Sequence, residues 1–183
     1  MKLDGYSDLV KIVDEEMALV YRGIQDSLQR PVVIKLLPSN LSKNVKARHL
    51  FGKESFILAR MNHANIIHMV NRGITENDHA YFIMEYIQGI DLNAAMKIRE
   101  VPHTEKCDII IQVLKARSYI HNNNVIHPDI KPIKIFIDDD ENVKILDLGV
   151  APFYEGKTLR PHILQHSHRD IQLHVSKAAR VVR

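Results

Sequence analysis

The chain holds a single cysteine in 183 residues, Cys107, which excludes an internal disulfide framework and makes a reducing, cytoplasmic setting the natural reading. Long apolar runs are missing too. None approaches the 18 or more residues of a membrane span, and the opening MKLDGYSDLV is not a signal peptide. Aromatic residues are few, at 6%. A large charge excess is also absent: 25 Lys and Arg face 22 Asp and Glu, a net charge of only +3, so the body does not read as a nucleic-acid binder. What is present, 45% apolar and 26% charged residues, suits one soluble globular domain or one domain plus a tail. The tail is compositionally distinct. From Pro152 onward six Lys or Arg stand against two acids, and four of the eleven histidines lie there.

Periodicity divides the rest. Leu19–Gly23 and Val32–Leu36 are short apolar or β-branched runs, and the polar stretch Ile24–Pro31 between them predicts a hairpin. Over Val45–Met61 the residues Leu50, Phe51, Ile57, Leu58 and Met61 recur at helical spacing, predicting an amphipathic helix of about four turns. His68–Val70 and Tyr81–Tyr86 are the next strand candidates, separated by a polar turn at Thr75–Asp78. After Gly89 the texture becomes helical, with a short piece over Leu92–Ile98 and a long one over Glu105–His121. The long piece has a broad apolar surface from Ile109, Ile110, Val113, Leu114 and Ile120. Two short strands, Ile135–Ile137 and Val143–Leu146, flank the acidic turn Asp138–Asn142. Strands with one helix, then helices with a small hairpin, predict two lobes that meet near Tyr86–Gly89.

Four features stand in a telling order. Val32-Val33-Ile34-Lys35 puts a lysine on a strand, and Glu54 sits mid-helix on the next element. His127-Pro128-Asp129-Ile130-Lys131-Pro132 opens a loop before the acidic hairpin, and Asp147-Leu148-Gly149 ends that hairpin. Each alone has a plainer reading. A Lys–Glu pair is commonly a surface contact worth under about 1 kcal/mol, an Asp before Gly a turn, a lone His a satisfied core residue. In this order, with MEYIQG at the lobe junction and NHANII after the helix, the set resembles the protein kinase motifs VAIK, helix glutamate, HRDxKPxN and DFG. The chain is thereby similar to bacterial serine/threonine protein kinases from about Tyr6 to Ala151.

The resemblance implies an α+β, two-lobe fold with a complete N-lobe, an antiparallel sheet plus one helix, and a partial C-lobe lacking its later helices. The implied division is 1–88 for the N-lobe and hinge, 89–151 for the partial C-lobe, and 152–183 for a basic, His-rich tail outside the family pattern. Phosphoryl transfer is mostly positioning and charge neutralisation. By resemblance Lys35 would hold the α/β-phosphates of ATP, Glu54 would fix its ammonium, and Asp147 would bind Mg²⁺ through carboxylate oxygen. Asp129 would orient a substrate hydroxyl and accept its proton, and Lys131 marks the serine/threonine class. Glu85 and Ile87 of the hinge would offer backbone groups to adenine, with Met84 as gatekeeper. Val20 and Val33 would form the roof of that pocket, and Phe136 its floor.

Several positions depart from the pattern. The three glycines of the phosphate loop are replaced by Val13, Glu15 and Ala18. Glycine lets backbone N–H groups approach phosphate, whereas a carboxylate 4 Å from a phosphate charge costs roughly 4 kcal/mol at an effective dielectric of 20. Pro128 replaces the arginine of HRD, and Leu148 the phenylalanine of DFG. Lys134 replaces the asparagine that would bind a second Mg²⁺, which makes that site doubtful. Val33 adds two carbons over adenine where the family has alanine. Only 34 residues follow Gly149, without an APE motif or a long apolar helix. His162 and His166, at i and i+4, offer a weak metal-site reading, and a basic tail touching acidic partners or headgroups is another.

The expected function is therefore serine/threonine kinase-like transfer from ATP to protein hydroxyls, weak or lost. The alternatives are a pseudokinase acting as a binding or regulatory module, and the non-functional product of a truncated kinase gene. Expected partners are ATP, a protein substrate or binding partner, and a second copy docked on the exposed apolar face of the long C-lobe helix, where wet Ile, Leu and Val side chains cost about 1.5–3 kcal/mol each relative to burial.

Overall fold

The computed structural model describes residues 2–14, 17–127 and 129–148. Expectations about Glu15, Pro128, Gly149, the His162 and His166 pair and the rest of the tail lie outside these residues.

The first lobe is a five-stranded antiparallel sheet with strand order β1-β2-β3-β5-β4. Its strands are β1 (Tyr6–Asp14), β2 (Leu19–Gln25), β3 (Arg30–Leu36), β4 (Met69–Ile74) and β5 (Ala80–Glu85). The hairpin turn is tighter than the polar stretch Ile24–Pro31 predicts, because the ladder continues through Ile24↔Pro31 and Gln25↔Arg30. Pro31 lies where β3 has no β5 partner, since that pairing starts at Val32, so its missing N–H takes nothing from the second ladder. Strand β1 has no counterpart in the sequence reading. It is an edge strand whose Val10, Ile12 and Val13 side chains are exposed, so burial imposes no alternation on it.

A single turn, α1 (Ser39–Ser42), leads into α2 (Val45–Leu58). Asn44 caps α2, its side chain accepting the Ala47 N–H at 3.0 Å. Phe51, Ile57 and Leu58 are buried as the spacing predicts, and Leu50 is half-buried. The helix stops three residues before Met61, where Arg60 and Met61 donate to Ile57 and Leu58 at 3.0 Å and tighten the chain into a turn. Met61 stays buried nonetheless.

The second lobe begins with β6 (Gly89–Asp91), α3 (Leu92–Ile98) and α4 (His103–Asn122). A 3₁₀ turn at Pro132–Lys134, β7 (Ile135–Asp138) and β8 (Val143–Ile145) follow, and β6-β7-β8 form a three-stranded antiparallel sheet. Asp91 caps α3 by accepting the Ala94 N–H at 2.9 Å. Of the broad apolar surface expected on α4, Ile109 and Ile120 are buried, Val113 and Leu114 are half-buried, and Ile110 is 50% exposed beside Ile111 at 48%.

One core joins the lobes. Leu37, Phe51, Leu58 and Phe82 from the first pack in one cluster with Ala116, Ile120, Val125, Ile145 and Leu148 from the second. The segment between α2 and β4 stitches across: Ile67 N–H donates to Ile145 O and Ile145 N–H to Asn65 O, both at 3.0 Å. The buried Asn65 side chain donates to Val143 O and Gln112 Oε1, both at 2.8 Å.

Candidate functional site

Strand β3 places the lysine. Val32 and Ile34 are fully buried on the outer face, with Leu3 and Ile83, so Val33 and Lys35 point to the opposite face. Directly opposed residues of antiparallel strands share a face. One rung of that face is therefore Val20, Lys35 and Phe82, and the next is Arg22, Val33 and Met84. The Lys35 ammonium lies 5.6 Å from the Phe82 ring centre. It donates to Glu54 Oε1 at 2.8 Å, with both side chains only 13% exposed. Burial pushes the Glu54 carboxyl above its ordinary value, Lys35 opposes this, and the neighbouring Asp147 raises it further through charge and a hydrogen bond.

Asp147 also belongs to a second cluster. The Lys134 ammonium sits between two aspartates, 2.9 Å from Asp129 Oδ2 and 3.1 Å from Asp147 Oδ2. Asp129 Oδ2 takes a second ammonium, that of Lys131, at 2.9 Å. Lys131 and then Lys134 hold the Asp129 carboxyl below the usual aspartate value. Burial alone would lower the Lys134 ammonium, yet Asp129 and Asp147 together keep it above the ordinary lysine value. His127 is buried beneath the loop, and its Nδ1 accepts the Asp129 N–H at 3.1 Å, fixing where that aspartate leaves the backbone. Burial lowers the His127 imidazole, against the pull of Asp147.

Lys35, Glu54, Asp147, Lys134, Asp129 and Lys131 thus form one connected cluster of three lysines and three carboxylates, drawn from residues more than a hundred positions apart. Val20, Val33 and Met84 make the wall of the sheet beside Lys35, with Val20 and Val33 half-buried and Met84 buried. Phe136 lies apart from that wall, half-buried on β7 opposite Asp91 and Lys144. Ile87 packs half-buried against the main core at the lobe junction. Glu85 closes β5: its N–H donates to His68 O at 3.0 Å, and its carboxylate accepts the His68 N–H at 2.8 Å. The same carboxylate takes the Lys144 ammonium at 2.7 Å, a contact between the lobes that the sequence reading missed. Only the alternation of Val143-Lys144-Ile145 hinted that Lys144 faces away from the core.

The aspartates as arranged do not fit a divalent cation. Mg²⁺ wants near-octahedral oxygen at about 2.0–2.1 Å. Here the space between the two Oδ2 atoms holds an ammonium, and a divalent ion 4 Å from it would be repelled by about 8 kcal/mol at an effective dielectric of 20. Among the described residues no group of three or more His, Cys, Asp or Glu is placed to hold a metal ion.

A five-stranded antiparallel lobe with one long helix, joined to a helical lobe by a cleft carrying a Lys–Glu pair and two loop aspartates, is the framework of a protein kinase domain. The family model for the protein kinase domain matches residues 6–168. A probable serine/threonine-protein kinase of Clostridium perfringens is 30% identical over 154 residues, and PrkC of Bacillus subtilis is 31% identical over 160. These alignments take in 83% and 86% of this chain. The serine/threonine-protein kinase pkn3 of Myxococcus xanthus is 36% identical over 141 residues, or 74% of the chain. The chain spans 22%, 24% and 26% of these relatives' own lengths. Among solved structures, the PknI kinase domain of Mycobacterium tuberculosis is similar, with a TM-score of 0.68 at 22% identity over 83% of this chain and 62% of that one. The chain belongs to the protein kinase domain family. The family implies the use of ATP, Mg²⁺ and a protein substrate in general. No helix among the described residues is long and apolar enough to cross a membrane.

Proposed function

We propose that this chain is a serine/threonine kinase-like domain that takes ATP in the cleft between its lobes and transfers phosphate weakly or not at all. The observation that carries nucleotide binding is the Lys35–Glu54 pair, 2.8 Å apart and largely buried on the cleft face. A lysine held in one direction by a buried carboxylate is a preorganised cation for the α/β-phosphates. Val20, Val33, Met84 and Ile87 would line the adenine space with Phe136 opposite, and Glu85 and Ile87 would supply backbone groups. Asp129 would face the substrate hydroxyl, with Lys131 beside it, and Asp147 would stand at the phosphate end.

Weak or lost transfer is favoured by the state of Asp129. A general base has to release its own partners before it accepts a proton, and this carboxylate oxygen already receives two ammonium groups at 2.9 Å. That observation supports a binding or regulatory module, a pseudokinase, as the second reading. The exposed Ile110 and Ile111 on α4 support self-association through that face, which sedimentation at increasing concentration would detect.

Thermal unfolding tests the nucleotide reading. At ATP tenfold above its Kd the melting temperature should rise by about 3–6 °C, and Lys35→Ala should abolish the rise. No rise at millimolar ATP would remove nucleotide binding. Transfer of labelled phosphate to a generic basic protein, lost in Asp129→Ala, would select the enzyme over the module.

A further inference from the structure

We propose that the Lys134 ammonium is a built-in cation that takes the place of a divalent metal between Asp129 and Asp147, so that the cleft binds a nucleoside triphosphate as its metal-free anion. This rests on the nucleotide reading of the same cleft. The geometry is specific. One nitrogen stands 2.9 Å from Asp129 Oδ2 and 3.1 Å from Asp147 Oδ2, at the point where an ion bridging those carboxylates would sit. The Lys134 side chain is only 17% exposed, and its backbone is fixed within the 3₁₀ turn Pro132–Lys134. The turn is secured on both sides: Lys134 N–H donates to Lys131 O at 2.9 Å, and Leu146 N–H donates to Lys134 O at 3.0 Å. The ammonium is thus delivered by anchored backbone.

Charge and donor counting agree. An ammonium has three N–H donors. Two go to the aspartates, and the third is the one a phosphate oxygen would receive. Asp129 is further engaged by Lys131, so its carboxylate is committed within the protein. A metal ion would have to displace these contacts and expel a half-buried lysine. A polyphosphate that arrives without metal meets Lys35 at one end of the cleft and Lys134 at the other. An asparagine at position 134 would be neutral and shorter, and would leave both aspartates open to a cation.

Two measurements separate this proposal from the reading beneath it. Mn²⁺ binding is followed by the loss of the free-ion paramagnetic resonance signal, without nucleotide. Lys134→Asn should bind Mn²⁺ at least tenfold more tightly than the unaltered chain, and adding Asp147→Asn should remove the gain. Equal Mn²⁺ affinity in the unaltered chain and a folded Lys134→Asn overturns the proposal, as does tight Mn²⁺ binding by the unaltered chain, which needs no variant to fold. In the second measurement the ATP-induced rise in melting temperature should be the same in EDTA as in Mg²⁺, and Lys134→Asn should make it depend on Mg²⁺. A rise in the unaltered chain that requires Mg²⁺ overturns the proposal. Absence of a rise under both conditions removes the nucleotide reading, and the Mn²⁺ comparison still decides whether Lys134 holds the metal position.

Discussion

Lys35 and Lys134 face the same cleft with different degrees of constraint. Lys35 is pinned by the Glu54 carboxylate, whereas Lys134 is pinned between Asp129 and Asp147 and is brought in on the anchored 3₁₀ turn. Away from the cleft, Arg48 shows how a single side chain steadies α2, the helix that carries Glu54. Its guanidinium donates to Asp78 Oδ2 at 2.7 Å and to Ser42 O at 3.2 Å, linking the helix to the β4–β5 turn. Arg48 holds the Asp78 carboxyl below its ordinary value. The folded value is depressed, so the pair's stabilisation is present above the unfolded aspartate pKa and fades as pH falls through the folded one. Arg48→Ala should move the Asp78 titration up toward the ordinary value, as read from its side-chain carbon shift by NMR, and should flatten the loss of stability in that acid window. A titration unchanged in Arg48→Ala would count against the pair. At this scale the sequence was informative where a periodicity set direction. Alternation in Val32-Val33-Ile34-Lys35 places Lys35 opposite two buried residues. Nothing comparable exists for Lys134, because spacing along a loop and a 3₁₀ turn does not say where a side chain points.

Elements were legible in proportion to how much apolar surface they bury. α2, α3 and α4 have periodic faces or capping residues, and the structure places them within a few residues of the expected bounds. β4 was shifted, because His68 is bonded to Glu85 through its backbone before the ladder begins at Met69. β1 was invisible, with Val10, Ile12 and Val13 on the outside and only Tyr6 and Leu9 half-buried. β6 is a different case, three residues long and dependent on one position. A Cβ at Gly89 would stand 2.1 Å from the Ile137 carbonyl oxygen and 2.8 Å from Asp138 Cα, both backbone atoms of β7. Neither can swing aside as a side chain could, so the strands would have to part. Gly89→Ala should therefore destabilise the fold by about 1–3 kcal/mol, the usual range for forced overpacking, measured by urea unfolding. Gly52, whose added Cβ would meet nothing within 4 Å, is the control. Gly52→Ala lies in a helix interior and should be neutral or stabilising by up to about 1 kcal/mol. A Gly89→Ala chain as stable as the parent would show that the close β6–β7 approach is dispensable.

In the whole molecule the cleft depends on the lobes being held together, and the segment Asn62–Ile67 does much of that holding. The sequence reading treated NHANII as a family signature without a physical role. The role comes from partners 47 and 78 positions away, which no local pattern encodes. Asn65 donates from one buried amide nitrogen to Gln112 on α4 and to the Val143 carbonyl on β8, while its backbone carbonyl accepts from Ile145. Gln112 in turn accepts the Val143 N–H at 2.8 Å, so helix, strand and linker share one network. Asn65→Ala keeps the backbone bond and deletes the side-chain donors, leaving a buried carbonyl unsatisfied at a cost of about 1–3 kcal/mol. For a chain of this size the melting temperature should fall by about 3–9 °C. Asn65→Asp should be at least as damaging, because it sets a carboxylate oxygen against carbonyl oxygen. Asn62→Ala should change little, since the bond there is from the Asn62 backbone N–H to the Tyr119 hydroxyl at 3.1 Å and survives the substitution. If the network couples the lobes, Asn65→Ala should also reduce the ATP-induced rise measured below its own melting transition, because Lys35 and Glu54 stand on one side of the cleft and Asp129 and Lys134 on the other. Equal nucleotide stabilisation in Asn65→Ala and the parent would mean that the shared core alone sets the cleft.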